Sequence, residues 1–211
     1  MNITIEKLSR SNMADFFDFF DNRAFSDGSP FAPCYCNAFY LTAEEVRDGI
    51  GKRSEMLGGG LEGLTLALKE SAKELIEKSI IQGYLVYVDG IAIGWCNAND
   101  RQNYVRAGSF IPDKKLDEDY YISNGEYGKI KSLVCFEIAP EYRGKGIAKA
   151  LMHRVCDDAE NDGYEFVEVY PQITENFSAF DFTGPMEMYG NFGFKEIDRH
   201  GNTVIMRKKV S

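Results

Sequence analysis

The residues of this chain best suited to chemistry lie where a strand runs into a helix, at Ile138-Ala139-Pro140-Glu141-Tyr142-Arg143-Gly144-Lys145-Gly146-Ile147-Ala148. Pro140 ends the strand, and two glycines let the main chain approach a ligand closely before the helix opens. A helix start offers unpaired N–H groups and a partial positive charge, so it accepts an anion. Arg143 and Lys145 add formal charge, which makes a phosphate or pyrophosphate the natural guest. The same turn also occurs without any ligand, and the residue types alone leave both readings open. A dinucleotide fingerprint is excluded, because Lys149 stands where the third glycine of Gly-x-Gly-x-x-Gly belongs. The Gly-x-x-x-x-Gly-Lys-Ser/Thr phosphate loop does not occur either.

Two further clusters invite chemistry and then weaken. Gly58-Gly59-Gly60 is followed by no Lys-Ser/Thr and reads as a joint before a helix. Cys34-x-Cys36 suggests a metal, but zinc wants four ligands at recognisable spacing, and His153 and His200 are both distant in sequence. Reduced thiols lining or underlying a pocket are the expectation, with no metal. His153 falls mid-helix and reads as a surface or packing residue.

The elements that must position these residues follow from periodicity. A strand at Ile3 to Leu8 precedes a helix capped by Ser11-Asn12 and carrying Phe16, Phe17, Phe19, Phe20 and Ala24. Thr42 followed three residues later by Glu45 is a capping box. After the triple glycine, Leu61, Leu64, Leu68, Ala72, Leu75 and Ile76 share one helical face. Tyr84–Val88 and Ile91–Cys96 flank Asp89-Gly90, the dipeptide that type I′ hairpin turns favour. Residues 98–128 read as loop. Ser132–Ile138 is nearly continuously apolar, which suits a central strand. A helix follows from Gly146 to Asn161, closed by Gly163, then strand Phe166–Tyr170 and a short helix at Met186–Asn191. Strands at Phe194–Asp198 and Thr203–Arg207 end the pattern, which is mixed α/β.

The chain has 211 residues with 24 Lys+Arg against 33 Asp+Glu, a net charge of −9. Neither half is basic, and an acidic chain without a cationic patch is a poor partner for nucleic acid. No apolar run approaches a membrane span, and the opening Met-Asn-Ile-Thr-Ile-Glu-Lys lacks a signal-peptide core. Five scattered cysteines fit reduced thiols, so a cytoplasmic protein is expected.

Arg143-Gly144-Lys145-Gly146-Ile147-Ala148 fits the pattern Gln/Arg-x-x-Gly-x-Gly/Ala, and it resembles the signature of the GNAT acetyltransferase superfamily. Met188-Tyr189-Gly190-Asn191-Phe192-Gly193-Phe194 resembles the family's second signature at the correct distance. The resemblance is strong over 132–207 and looser over 1–97. It implies an α/β fold with a mixed, mostly antiparallel central sheet flanked by helices and split between its two central strands. A single acyltransferase domain over 1–211 is implied, with extra segments at about 26–83 and 98–128.

By that resemblance acetyl-CoA is the co-substrate and lies in the split. The main-chain N–H groups of Arg143, Gly144, Lys145, Gly146, Ile147 and Ala148 would hold its pyrophosphate, and Phe136, Glu137 and Ile138 would pair with the pantetheine arm. Tyr189 would protonate the departing thiolate, and Glu137 would act as base, directly or through water. The acceptor pocket would gather Phe31, Cys34, Tyr35, Cys36, Trp95, Cys96 and Asn97. The chain departs from the family where Asn and Ala usually precede the tyrosine: Phe182 and Pro185 stand there, and Asn176 lies further back. The implied activity is N-acetylation of a primary amine on a small molecule or peptide by direct attack in a ternary complex. A non-catalytic acyl-CoA-binding module of the same fold is the alternative, and an unrelated α/β nucleotide-binding protein is a third reading. Neither nucleic acid nor membrane is an expected partner, and a homodimer is left open.

Overall fold

The computed structural model describes residues 2–105, 129–175, 178 and 181–211. The strands are β1 (Ile3–Lys7), β2 (Gly83–Val88), β3 (Ile91–Asp100), β4 (Ile130–Ile138), β5 (Phe166–Val169), β6 (Lys195–His200) and β7 (Thr203–Lys209). They form one sheet in the order β1-β2-β3-β4-β5-β7-β6. Every named pair is antiparallel except β4 with β5. This is the mixed, mostly antiparallel α/β sheet expected from the sequence.

Five α-helices cover it among the described residues: α1 (Met13–Asn22), α2 (Gly51–Met56), α3 (Gly60–Glu77), α4 (Ile147–Asn161) and α5 (Met186–Asn191). One face buries α1, Ala72 and Ile76 of α3, and Trp95; the other buries α4 with Tyr84, Val86 and Tyr189. The apolar stripe of α4 runs through Ile147, Leu151, Val155 and Ala159, all buried, as its spacing predicts. No helix of the described residues is long and apolar enough to cross a membrane.

Local chemistry explains most elements. Asp89 and Gly90 both have positive φ (50° and 79°), the geometry a two-residue type I′ turn demands. The Thr42–Glu45 box is formed reciprocally: Thr42 N–H donates to Glu45 at 2.7 Å and Glu45 N–H to the Thr42 hydroxyl at 3.1 Å. The turn it opens is a π-helix, Glu45–Ile50, rather than an α-helix. Asn12 sits at the N-terminus of α1, but its side chain accepts from Ser9 N–H and donates to the Lys7 carbonyl, so it ties β1 to α1.

Two expectations are corrected. Residues 98–100 are strand, because β3 stays paired with β4 as far as Asp100 opposite Lys131. Beyond Tyr104, the expected loop at 106–128 lies outside the described residues, as does Asn176. Leu68, Ala72, Leu75 and Ile76 of the expected α3 face do pack on the core, joined by Gly63, Ala67 and Ser71, but Leu61 is exposed. The reason is a close approach at Gly63, where any Cβ would stand 2.5 Å from the Ser54 carbonyl oxygen of α2. That contact turns Leu61 outward.

Candidate active site

The parallel pairing of β4 with β5 ends at Leu133 opposite Val169, while β4 continues to Ile138 along β3. A cleft of about 570 Å3 opens in that split. One wall is the end of β4, from Phe136 to Ile138, and another is the turn into α4, with Arg143, Gly144, Gly146, Ile147, Ala148 and Lys149. Residues 181–185 and Met188 form the side where β5 has withdrawn.

Gly144 and Gly146 hold φ of 71° and 82°, values that L side chains rarely adopt, and Gly146 caps α4. A Cβ at either glycine meets no protein atom within 4 Å, so the space beside the turn is open to a ligand. The N–H groups of the first turn of α4 have no partner within their own helix and bring the positive end of its dipole to the cleft. Lys149, three residues past Gly146, lines the cleft and supplies a cation that the sequence pattern had shown only as a missing glycine. Lys145 lies over the Tyr142 ring instead, 5.2 Å from its centroid.

The guanidinium of Arg143 faces inward. It donates to the Ile138 carbonyl (2.9 Å), to Asp27 (2.5 Å) and to Glu137 (3.3 Å). Burial raises the carboxyl of Glu137 to about 7, against the opposing pull of Arg143. A carboxyl poised there exchanges a proton readily at neutral pH. Asp27, on the loop after α1, has no motif that marks it in sequence.

A second cavity, of about 240 Å3, adjoins the first. Glu137 and Phe182 line both. Phe31, Cys34, Tyr35 and Cys36 line the second, together with Cys135 on β4. The Cys34 and Cys36 thiols are pushed up, Cys34 first by its hydrogen bond to Cys36, Cys36 first by its hydrogen bond to Cys135, and both by burial. They remain neutral thiols rather than nucleophiles at physiological pH. No group of three or more His, Cys, Asp and Glu among the described residues is arranged to hold a metal.

Trp95, Cys96 and Asn97 line neither cavity. Trp95 is fully buried, edge-on to Phe16 at 5.0 Å, with its indole N–H donating to Cys36 Sγ. Asn97 accepts from the Tyr40 and Tyr104 hydroxyls at 2.6 and 2.8 Å. Cys96 points to the opposite face of the sheet, into the cluster beneath α4. These three are the floor under the pocket or the far side of the sheet.

Tyr189 is fully buried, and its hydroxyl donates to the Thr183 carbonyl at 2.5 Å. Burial pushes its phenol well up. A Cβ on Gly184, a cleft residue, would stand 3.1 Å from that hydroxyl, so the hydroxyl lies behind the cleft wall and Tyr189 does not itself line the cleft. His153 packs against Phe192, 4.5 Å between ring centroids, far from this chemistry.

Residues 64–194, more than half of the chain, match the profile of the Acetyltransferase (GNAT) family. No curated protein matches the chain in sequence. Among solved structures, the chain is similar to the PaiA N-acetyltransferase of Thermoplasma acidophilum in complex with coenzyme A, at 18% identity, 99% of both chains and TM-score 0.50. It is also similar to an N-acetyltransferase of Staphylococcus aureus Mu50, at 13% identity, full coverage of both chains and TM-score 0.52. An acetyltransferase of the GNAT family from Streptococcus pneumoniae gives 14% identity, full coverage of both and TM-score 0.53. At these identities the likeness is one of fold.

Proposed function

The chain belongs to the acetyltransferase (GNAT) family and is an acyltransferase, and we propose that it moves the acetyl group of acetyl-CoA to a primary amine by direct attack in a ternary complex. The observation that carries this reading is the placing of Glu137, which lines both the split and the adjoining cavity. A donor in one space and an amine in the other meet at that residue.

The turn at 143–148 fits a pyrophosphate. Its glycines leave the main chain bare, the first turn of α4 presents N–H groups, and Lys149 adds charge. Phe136, Glu137 and Ile138 would pair with an extended pantetheine arm once the Phe182 carbonyl leaves the Phe136 N–H, and a main-chain N–H there would polarise the thioester carbonyl. When bound, acetyl-CoA supplies the activated acyl carbon and a thiolate leaving group. Glu137 takes the proton of the incoming ammonium, directly or through water, so that nitrogen presents its lone pair. The C–N bond forms, the C–S bond breaks, and the departing thiolate takes up a proton, for which Tyr189, behind the cleft wall, is the proposed donor once its hydroxyl leaves the Thr183 carbonyl. One domain over 1–211 belongs to the same reading, with the segment at 26–83 building the acceptor side.

Thermal shift with CoA, acetyl-CoA and ATP, followed by thiol release from acetyl-CoA across a panel of amines, tests the proposal. Stabilisation by acetyl-CoA and amine-dependent release support it. Stabilisation by ATP but not by CoA overturns the co-substrate. Stabilisation by CoA with no amine accelerating release leaves a non-catalytic acyl-CoA-binding module.

A further inference from the structure

The cavity beside the split has a chemistry of its own. Its described walls carry the rings of Phe20, Phe25, Phe31, Phe39 and Phe182. Three sulfurs fill the gaps between them, those of Cys34, Cys36 and Cys135. Among the described residues that line it, no side chain is cationic, and the one carboxylate is Glu137 at the end facing the split. Asn37 is buried, and one amide N–H of it donates to the Leu68 carbonyl at 2.7 Å. The space, about 240 Å3, falls below the roughly 300–1,000 Å3 of sites for drug-sized ligands.

Resting on the acetyltransferase reading, we propose that the acceptor is a small primary amine on an apolar, aromatic body that carries no anionic group. The ammonium is drawn to Glu137, the one charged side chain among the described residues that line this space, and the body enters the ring-lined space, where apolar burial and edge-to-face contacts hold it. A free amino acid is rejected, since its carboxylate would lose water and face Glu137, and the nearest cation, Arg143, is already held by Glu137, Asp27 and the Ile138 carbonyl. A polyamine or amino sugar is rejected because its further polar groups would be buried without partners. Phe31 closes the outer side: it is 42% exposed, and its ring stands edge-on to Phe182 at 5.2 Å.

The test measures thiol release from acetyl-CoA with 2-phenylethylamine, phenylalanine, spermidine and glucosamine, with direct calorimetry of acetyl-CoA binding alongside. The expected kcat/KM for 2-phenylethylamine exceeds that of each competitor by about a hundredfold. Acetyl-CoA binding with equal or faster turnover of phenylalanine, spermidine or glucosamine overturns the apolar-amine assignment and leaves the transferase reading standing. Absence of acetyl-CoA binding overturns both. Phe31→Ala, a change at a half-exposed position, raises KM for 2-phenylethylamine about tenfold and leaves the acetyl-CoA Kd unmoved. An unchanged KM removes the cavity from substrate recognition.

Discussion

The main-chain N–H of Phe136 donates to the carbonyl of Phe182 at 2.7 Å. This one bond closes the edge that β5 leaves when its pairing with β4 stops at Leu133. The Phe182 ring meanwhile packs against Phe31 and Phe39 in the neighbouring cavity. A single residue therefore occupies the strand edge with its main chain and partitions the two cavities with its side chain. An extended ligand that pairs with Phe136 must displace the Phe182 carbonyl.

Hydrogen exchange reads that displacement. With CoA at saturation, peptides covering 181–188 are expected to exchange faster, while those covering 130–138 keep their protection because the ligand takes over the Phe136 amide. Unaltered exchange at 181–188 would mean that the ligand leaves Phe136 with Phe182.

Glu137 sets the pH dependence. Its carboxyl titrates at about 7, raised by burial; as a base it works only when deprotonated. Activity is therefore lost as pH falls through about 7, and kcat/KM against pH shows an inflection there. Glu137→Gln removes that inflection and lowers kcat by about a hundredfold, the lower end of general-base contributions. Arg143 pulls the carboxyl down from 3.3 Å, so Arg143→Met moves the inflection to higher pH. An inflection that does not move to higher pH would show that Arg143 does not hold the Glu137 carboxyl down.

How much of this was legible in the sequence depends on how local each signal is. The Asp89-Gly90 turn, the Thr42–Glu45 box and the glycine turn into α4 are written in adjacent residues, because each rests on a backbone angle or a bond spanning three positions. The parity of β3 was half legible. Trp95 and Asn97 do face the α1 side of the sheet and Cys96 faces away, but Phe16 and Cys36 cover Trp95 before the cavity begins. Asp27 beside Arg143, and Phe182 on Phe136, join residues 116 and 46 positions apart. No local pattern carries such pairs, since they arise only when the sheet brings separate loops to the end of β4.

Gly146 offers a test of the anion cradle with an internal control. Gly146 (φ 82°) and Gly163 (φ 74°) bracket α4, and a Cβ at either meets nothing within 4 Å. Alanine at either forces a left-handed L residue at about 1–2 kcal/mol. Denaturant melts are expected to show similar losses for Gly146→Ala and Gly163→Ala. Only Gly146 lines the cleft, so the CoA Kd is expected to rise about tenfold, or by about 1.4 kcal/mol, for Gly146→Ala and to stay constant for Gly163→Ala. Equal Kd values would place the pyrophosphate elsewhere.

Tyr189 carries two separable burdens. Its hydroxyl anchors the 181–185 turn through Thr183 and lies behind Gly184 at the cleft wall. Tyr189→Phe leaves the Thr183 carbonyl without that donor, at about 1–3 kcal/mol for a buried acceptor, and Tm falls by several degrees. If the hydroxyl also delivers the proton to sulfur, kcat falls while the acetyl-CoA Kd holds, because the ring still packs against Phe194 and the turn at 143–148 is untouched. Burial raises the phenol, so the hydroxyl keeps its proton through the neutral range and no new acid limb enters the pH profile. A variant with lowered Tm and full kcat would confine Tyr189 to holding the turn, and the thiolate would then take its proton from solvent.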